Sequence, residues 1–189
     1  MTRTILAAAL ALASLAAAPA FAAPAYVSVA VGGSDTDIDC TGATSCNNGA
    51  FAAKVIGGYV FGNDLALEGM YVSLGEPDGG VGDVKVGIQS SYWGLGGAFR
   101  PAFNKEWSGV ARIGVAVVRS RAKASVGNLS GSTSYDSTSP YVGLGLAYAV
   151  GKDLKIEADL DSTRVSVGTG DEKQTARVID YTIGLTYSF

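Results

Sequence analysis

The chain has no histidine, only 2 cysteines and 5 prolines, and no basic excess. Each scarcity excludes something. Without histidine there is no Ser-His-Asp machinery and no imidazole ligand for a metal. With 14 Lys and Arg against 17 Asp and Glu, the net charge is −3, so nothing suggests a nucleic-acid partner. Beyond the first two dozen residues there is no apolar 20-mer, which excludes a membrane helix. A membrane strand is not excluded, because its apolar residues alternate and escape hydropathy windows.

What is present begins with an export address. Arg3 precedes the uncharged run Ile5–Ala18 of Ala, Leu and Ile. Pro19 breaks this run, and Ala20-Phe21-Ala22 supplies the small-x-small pattern read by signal peptidase. An uncleaved anchor is the alternative, but 14 residues fall short of the roughly 20 that a membrane helix needs. The expected division is a signal peptide over 1–22 and one domain over 23–189. Removing 22 of the 189 residues leaves 167 and takes Arg3 with it, so the net charge becomes −4. Cys40 and Cys46 lie in the exported part, in a polar stretch, and an even count in an oxidising compartment points to a disulfide. With no histidine and no third thiol, a metal site there is not expected.

From Ala25 onward, short periodic runs alternate with two kinds of connection. Strands are expected over Ala25–Gly33, Ala50–Phe61, Leu65–Leu74, Val84–Arg100, Trp107–Lys123, Ser139–Val150, Leu154–Val167 and Ala176–Phe189. Long links (Ser34–Gly49, Gly75–Asp83, Ala124–Thr138 and Gly168–Thr175) interleave with tight turns at Gly62-Asn63-Asp64, Asn104-Lys105-Glu106 and Gly151-Lys152-Asp153. An even-stranded outer-membrane barrel keeps both ends and its tight turns on the periplasmic side, with longer loops outside. The fold class expected is therefore all-β: an eight-stranded, antiparallel, up-and-down transmembrane β-barrel.

Alternation decides which face meets lipid. Leu154, Ile156, Ala158 and Leu160 oppose Lys155, Glu157, Asp159 and Asp161; Leu65, Leu67, Gly69 and Tyr71 oppose Glu68. A soluble barrel with its apolar face inside would alternate in the same way. Two features favour the inverted arrangement. Tyr59, Phe61, Phe99, Phe103, Trp107, Tyr187 and Phe189 fall near strand ends, where interfacial girdles belong. The polar faces also carry small residues such as Gly143 and Gly145, which leave room for charges in a narrow lumen.

The run Gly57-Gly58-Tyr59-Val60-Phe61-Gly62-Asn63-Asp64-Leu65-Ala66-Leu67-Glu68-Gly69-Met70-Tyr71 resembles the second hairpin of the outer-membrane barrel family that includes the OmpA membrane domain, OmpX and opacity-type proteins. The terminal Tyr181-x-Ile183-x-Leu185-x-Tyr187-x-Phe189 resembles the signal read by the outer-membrane assembly machinery. The resemblance covers the mature chain and implies a location in the outer membrane. The chain stops at Phe189, so the peptidoglycan-binding domain of full-length OmpA-type proteins is not expected.

Lys54, Glu68, Arg112, Glu157, Asp159 and Asp180 occupy polar-face positions. A buried charge without a partner is costly, so they are expected to pair or to be hydrated. The expected cluster is Arg112 against Glu68 and Glu157, with Lys54 near Asp180 or Asp159. The family resemblance implies a plug or gate; simple filling of a narrow interior is the plainer reading. Eight strands leave a lumen just wide enough for side chains. No catalytic residues, cofactor or metal site are expected. Gly94-Leu95-Gly96-Gly97 and Gly143-Leu144-Gly145 lie within strands, not between a strand and a helix as a phosphate loop does. Glu157 and Asp159 are explained by structural pairing. Alternating Asp35, Asp37 and Asp39 read as a polar loop rather than a calcium site.

The functional expectation is a structural or surface-interaction barrel, monomeric, with a closed lumen and loops presented outward. Its expected partners are outer-membrane lipid and lipopolysaccharide, the assembly machinery and an external surface partner, with Arg119, Arg121 and Lys123 reaching toward lipopolysaccharide phosphates. The alternative is a narrow gated ion or small-solute channel; a soluble, secreted lipid-binding barrel is a third reading.

Overall fold

A computed structural model describes residues 25–37, 45–46, 48–76, 78–81, 84–126, 129–167 and 174–189. Eight long strands carry the fold: β1 (Ala25–Thr36), β3 (Gly49–Val60), β4 (Leu65–Ser73), β6 (Val84–Phe99), β7 (Trp107–Val126), β8 (Leu129–Ala149), β9 (Leu154–Val167) and β10 (Gln174–Ser188). Two short strands, β2 (Ser45–Cys46) and β5 (Asp78–Val81), extend the sheet: β5 pairs with the outer end of β6, and β2 pairs with β5. Each long strand pairs antiparallel with its sequence neighbour among the eight, and β1 pairs with β10, so the sheet closes on itself. Closure removes the free edges that lipid could not satisfy.

The register fixes the geometry of the barrel. Ala25 pairs with Tyr59, and the row continues through Leu67, Gly97, Ile113, Val142, Ser162 and Ile179. It returns to β1 at Asp35, ten residues beyond its start. A stagger of that size tilts the strands, so side chains far apart in strand position meet at one height in the lumen.

The alternation is inside-out relative to a soluble barrel. Leu144 is 65% exposed and Ile183 58%, while Glu68 and Asp161 are fully buried. The outer face is a continuous apolar belt with aromatic rims. Tyr59–Phe61, Tyr187–Phe189 and Trp107–Tyr148 ring pairs, with centroids 5.2, 5.2 and 4.9 Å apart, lie at the end that holds the tight turns. Tyr71 and Trp93, 4.7 Å apart, mark the opposite rim. The first turn owes its tightness to Asn63 and Asp64, both with positive φ (67° and 60°), a conformation that short polar side chains tolerate.

The expected third long link, Ala124–Thr138, is not a loop. β7 and β8 run 20 and 21 residues and stay paired out to Val126 and Leu129. About 10 residues suffice to cross a bilayer as a tilted strand, so this hairpin stands well clear of the membrane. The run Gly131–Ser134 is exposed on both faces and so shows no apolar alternation. The links Ser34–Gly49 and Gly75–Asp83 likewise contain the short strands β2 and β5. The signal-peptide segment 1–22 lies outside the described residues.

A charge placed in the apolar belt tests the inside-out assignment. Leu144→Arg is expected to destabilise the barrel by about 2–4 kcal/mol, and Thr138→Arg, further out on the same strand, by about 0–1 kcal/mol. Urea unfolding in lipid vesicles measures both.

Candidate functional site

The inward faces of five strands converge on an ionic cluster. Arg112 on β7 lies 3.1 Å from Glu68 on β4 through Nε and 2.9 Å from Glu157 on β9 through Nη2. Its Nη1 lies 2.9 Å from Asp159 and 3.3 Å from Asp161. Lys54 on β3 pairs with Asp159 at 2.9 Å and with Asp161. Arg100, at the inner end of β6, reaches Glu68 at 3.1 Å and Glu157 at 2.5 Å. β4 and β9 stand four places apart in a ring of eight, so both arginines span the full width of the lumen.

Neutral groups complete the cluster. The Tyr26 hydroxyl donates to Glu68, and Thr186 Oγ1 donates to Glu157 at 2.9 Å. The Arg100 guanidinium carbon lies 4.5 Å from the centroid of the Tyr26 ring, within cation–π range. Glycine makes the packing possible at two positions. A Cβ on Gly143 would strike the Asp161 carboxylate and Arg112, and one on Gly145 would strike the Asp159 carboxylate. No side chain but hydrogen fits opposite these acids.

The six charges expected from alternation all lie inside the barrel, each 5% exposed or less. Five of them share ion pairs. Asp180 is buried beside them, forms no ion pair among the described residues, and leaves Oδ2 without a hydrogen-bond donor. Lys54 thus pairs with Asp159 and Asp161 and not with Asp180. Three further members were not singled out: Arg100, Asp161 and Tyr26. Arg100 shares the parity of the inward Ala98 but lies just past the end of β6. Asp161 shares the parity of Glu157 and Asp159, and the stagger between strands brings it level with Arg112.

Not every inward position is polar. Toward the outer end, Val72, Leu74, Tyr92, Val118, Val165 and Val178 are buried and belong to one apolar cluster. The lumen therefore carries an apolar layer beyond the ionic one.

The remaining expected residues sit elsewhere. Tyr181, Ile183, Leu185, Tyr187 and Phe189 all face outward on or just past β10. Cys46 forms β2 with Ser45, and Cys40 lies outside the described residues, as does Asp39. Arg119 and Arg121 face outward beyond the apolar belt. Asp136 accepts hydrogen bonds from Arg119 at 2.9 and 3.2 Å, and this holds its carboxyl below the usual range.

Removing one hub of the cluster strands several carboxylates. Arg112→Ala is expected to cost about 3–5 kcal/mol, the range for breaking a buried ion pair from one side. Arg112→Lys should recover part of it, and Arg119→Ala should leave the unfolding midpoint unchanged. Urea unfolding of the three variants in vesicles checks this.

No curated protein sequence matches the chain. Among solved structures, Neisserial surface protein A shows 15% identity over 87% of this chain and 97% of its own, with a TM-score of 0.61. Ail of Yersinia pestis, solved in complex with the heparin analogue sucrose octasulfate, shows 18% identity over 88% and 99%, with a TM-score of 0.59. The N-terminal β-barrel domain of Pseudomonas aeruginosa OprF shows 14% over 87% and 97%, with a TM-score of 0.53. At these identities the likeness is one of fold. The profile of the outer membrane protein beta-barrel domain matches residues 4–189, and the chain belongs to that family, as a protein of the outer membrane.

Proposed function

We propose that this is a non-conducting outer-membrane barrel with a structural and surface-interaction role, its lumen closed from within and its outer hairpins presented for binding. The observation that carries the reading is the span of Arg100 and Arg112. Each holds Glu68 on one wall and Glu157 on the wall opposite. An ion entering this cluster would have to break charge pairs that are already made. The apolar layer around Val72, Val118 and Val178 adds a second obstacle, since an apolar constriction resists wetting.

With transport blocked, what the barrel offers is its exterior. β7 and β8 are the longest of the described strands, and their hairpin carries serine and threonine on both faces, with the Arg119–Asp136 pair near its base. A polar ribbon of this kind suits an external ligand or the sugar layer of lipopolysaccharide. The fold relative Ail, solved with a sulfated heparin analogue, shows that a barrel of this shape can present a ligand surface. The outward Tyr181, Ile183, Leu185, Tyr187 and Phe189 serve, in the same reading, as the assembly signal.

Planar-bilayer recording tests the closed lumen. The native barrel is expected to be silent, and the Arg112→Ala/Val118→Ala variant, which thins both layers, is expected to conduct. Steady conductance from the native protein would sink the proposal.

A further inference from the structure

Two contiguous hollows lie on the outer wall of the barrel between β6 and β10. The larger is an apolar groove of about 730 Å³, walled by Phe99, Ile113, Leu144, Leu160 and Ile179 over a floor that includes Gly97. It follows the staggered row Gly97–Ile113–Val142–Ser162–Ile179, and so climbs around the barrel toward the outer rim. There it runs into a polar pocket of about 500 Å³, with Val142, Ser162 and Arg177 common to both.

The polar pocket holds an uncompensated charge. Arg164 and Arg177 are direct cross-strand partners on β9 and β10, both exposed and both on the outward face. Like charges placed opposite one another on a sheet repel. Arg177 Nε donates to Ser162 Oγ at 3.1 Å, yet neither guanidinium forms an ion pair among the described residues. Arg119, at a similar level on β7, is by contrast satisfied by Asp136. Asp37 also lines the pocket and donates its backbone N–H to the Arg177 carbonyl at 2.9 Å, but among the described residues its carboxylate forms no ion pair with either arginine. Two unpaired guanidiniums above an apolar groove match an amphiphile with an anionic head.

We propose that this two-part hollow binds one lipopolysaccharide molecule of the outer leaflet, with an acyl chain in the groove and a phosphate between Arg164 and Arg177. Position selects this occupant. The arginines lie at the end opposite the tight turns, level with the outer leaflet, whose phosphates belong to lipopolysaccharide. Planar guanidiniums side by side suit bidentate contact with phosphate oxygens. The anion relieves the repulsion between the two arginines, and the groove removes apolar chain surface from competing lipid contacts. The site faces outward and does not depend on whether the lumen is closed.

The test is a native mass-spectrometry titration of the detergent-folded chain with bis-phosphorylated lipid A, with its enzymatically dephosphorylated form and with phosphatidylglycerol. Native protein is expected to take up one lipid A. Dephosphorylated lipid A, or the Arg164→Gln/Arg177→Gln variant, should bind about 30-fold more weakly, at about 1 kcal/mol for each interfacial arginine. Lys152→Gln, in the exposed tight turn at the opposite end of the barrel, should bind like the native protein. Heat-modifiable gel mobility reports folding, and if the double variant fails to fold, the two forms of lipid A on native protein still decide. Equal affinity for those two forms, or an equal loss with Lys152→Gln, overturns the site. Phosphatidylglycerol binding as tightly as lipid A overturns the choice of lipopolysaccharide.

Discussion

A backbone amide in hydrocarbon has no water to bond with, and the rest of this structure depends on that constraint. A sheet can satisfy it only by closing, and with eight strands the closed sheet is narrow. Narrowness makes the interior a place for side chains, and the belt of Val, Leu, Ile and aromatic residues outside leaves the polar ones to fill it. The ten-residue stagger then decides which of them meet. Closure, stagger and cluster are successive consequences of one requirement.

The interior is accordingly organised by charge rather than by apolar packing alone. Around Arg112, Arg100 and Lys54 stand Glu68, Glu157, Asp159, Asp161 and the unpaired Asp180, five carboxylates to three cations. Buried ion pairs are weak evidence of net stability, because desolvation offsets much of their attraction. What this network supplies is cross-bracing: each arginine ties two opposite walls. Gly143 and Gly145 give up side chains so that the acids can approach, which links unremarkable glycines in the sequence to the geometry of the cluster.

The exterior divides by the same logic. Within the apolar belt nothing charged faces outward; immediately beyond it arginines do, on β7, β9 and β10. Arg119 finds Asp136, while Arg164 and Arg177 stand opposite each other across the ladder and form no ion pair among the described residues. Beyond that rim the β7–β8 hairpin continues as a two-stranded ribbon held by its ladder. At the rim and the ribbon, residues are free of the demands that lipid and lumen impose.

The sequence by itself determined everything that follows from period-2 alternation. It showed the eight membrane strands, the face each turns to lipid, the inner girdle of Tyr59, Phe61, Trp107 and Phe189, and the inward orientation of Lys54, Glu68, Arg112, Glu157, Asp159 and Asp180. Alternation is local, and an apolar environment on one side enforces it residue by residue. It fails beyond the membrane, where both faces meet water, which is why Ala124–Thr138 read as a loop. Only the tertiary structure decided the partners. That Arg112 meets Asp161, that Arg100 joins from a strand end, that Asp180 stays unpaired and that Arg164 stands beside Arg177 all depend on register between strands. Register is set by closure of the whole ring, and no single strand carries it.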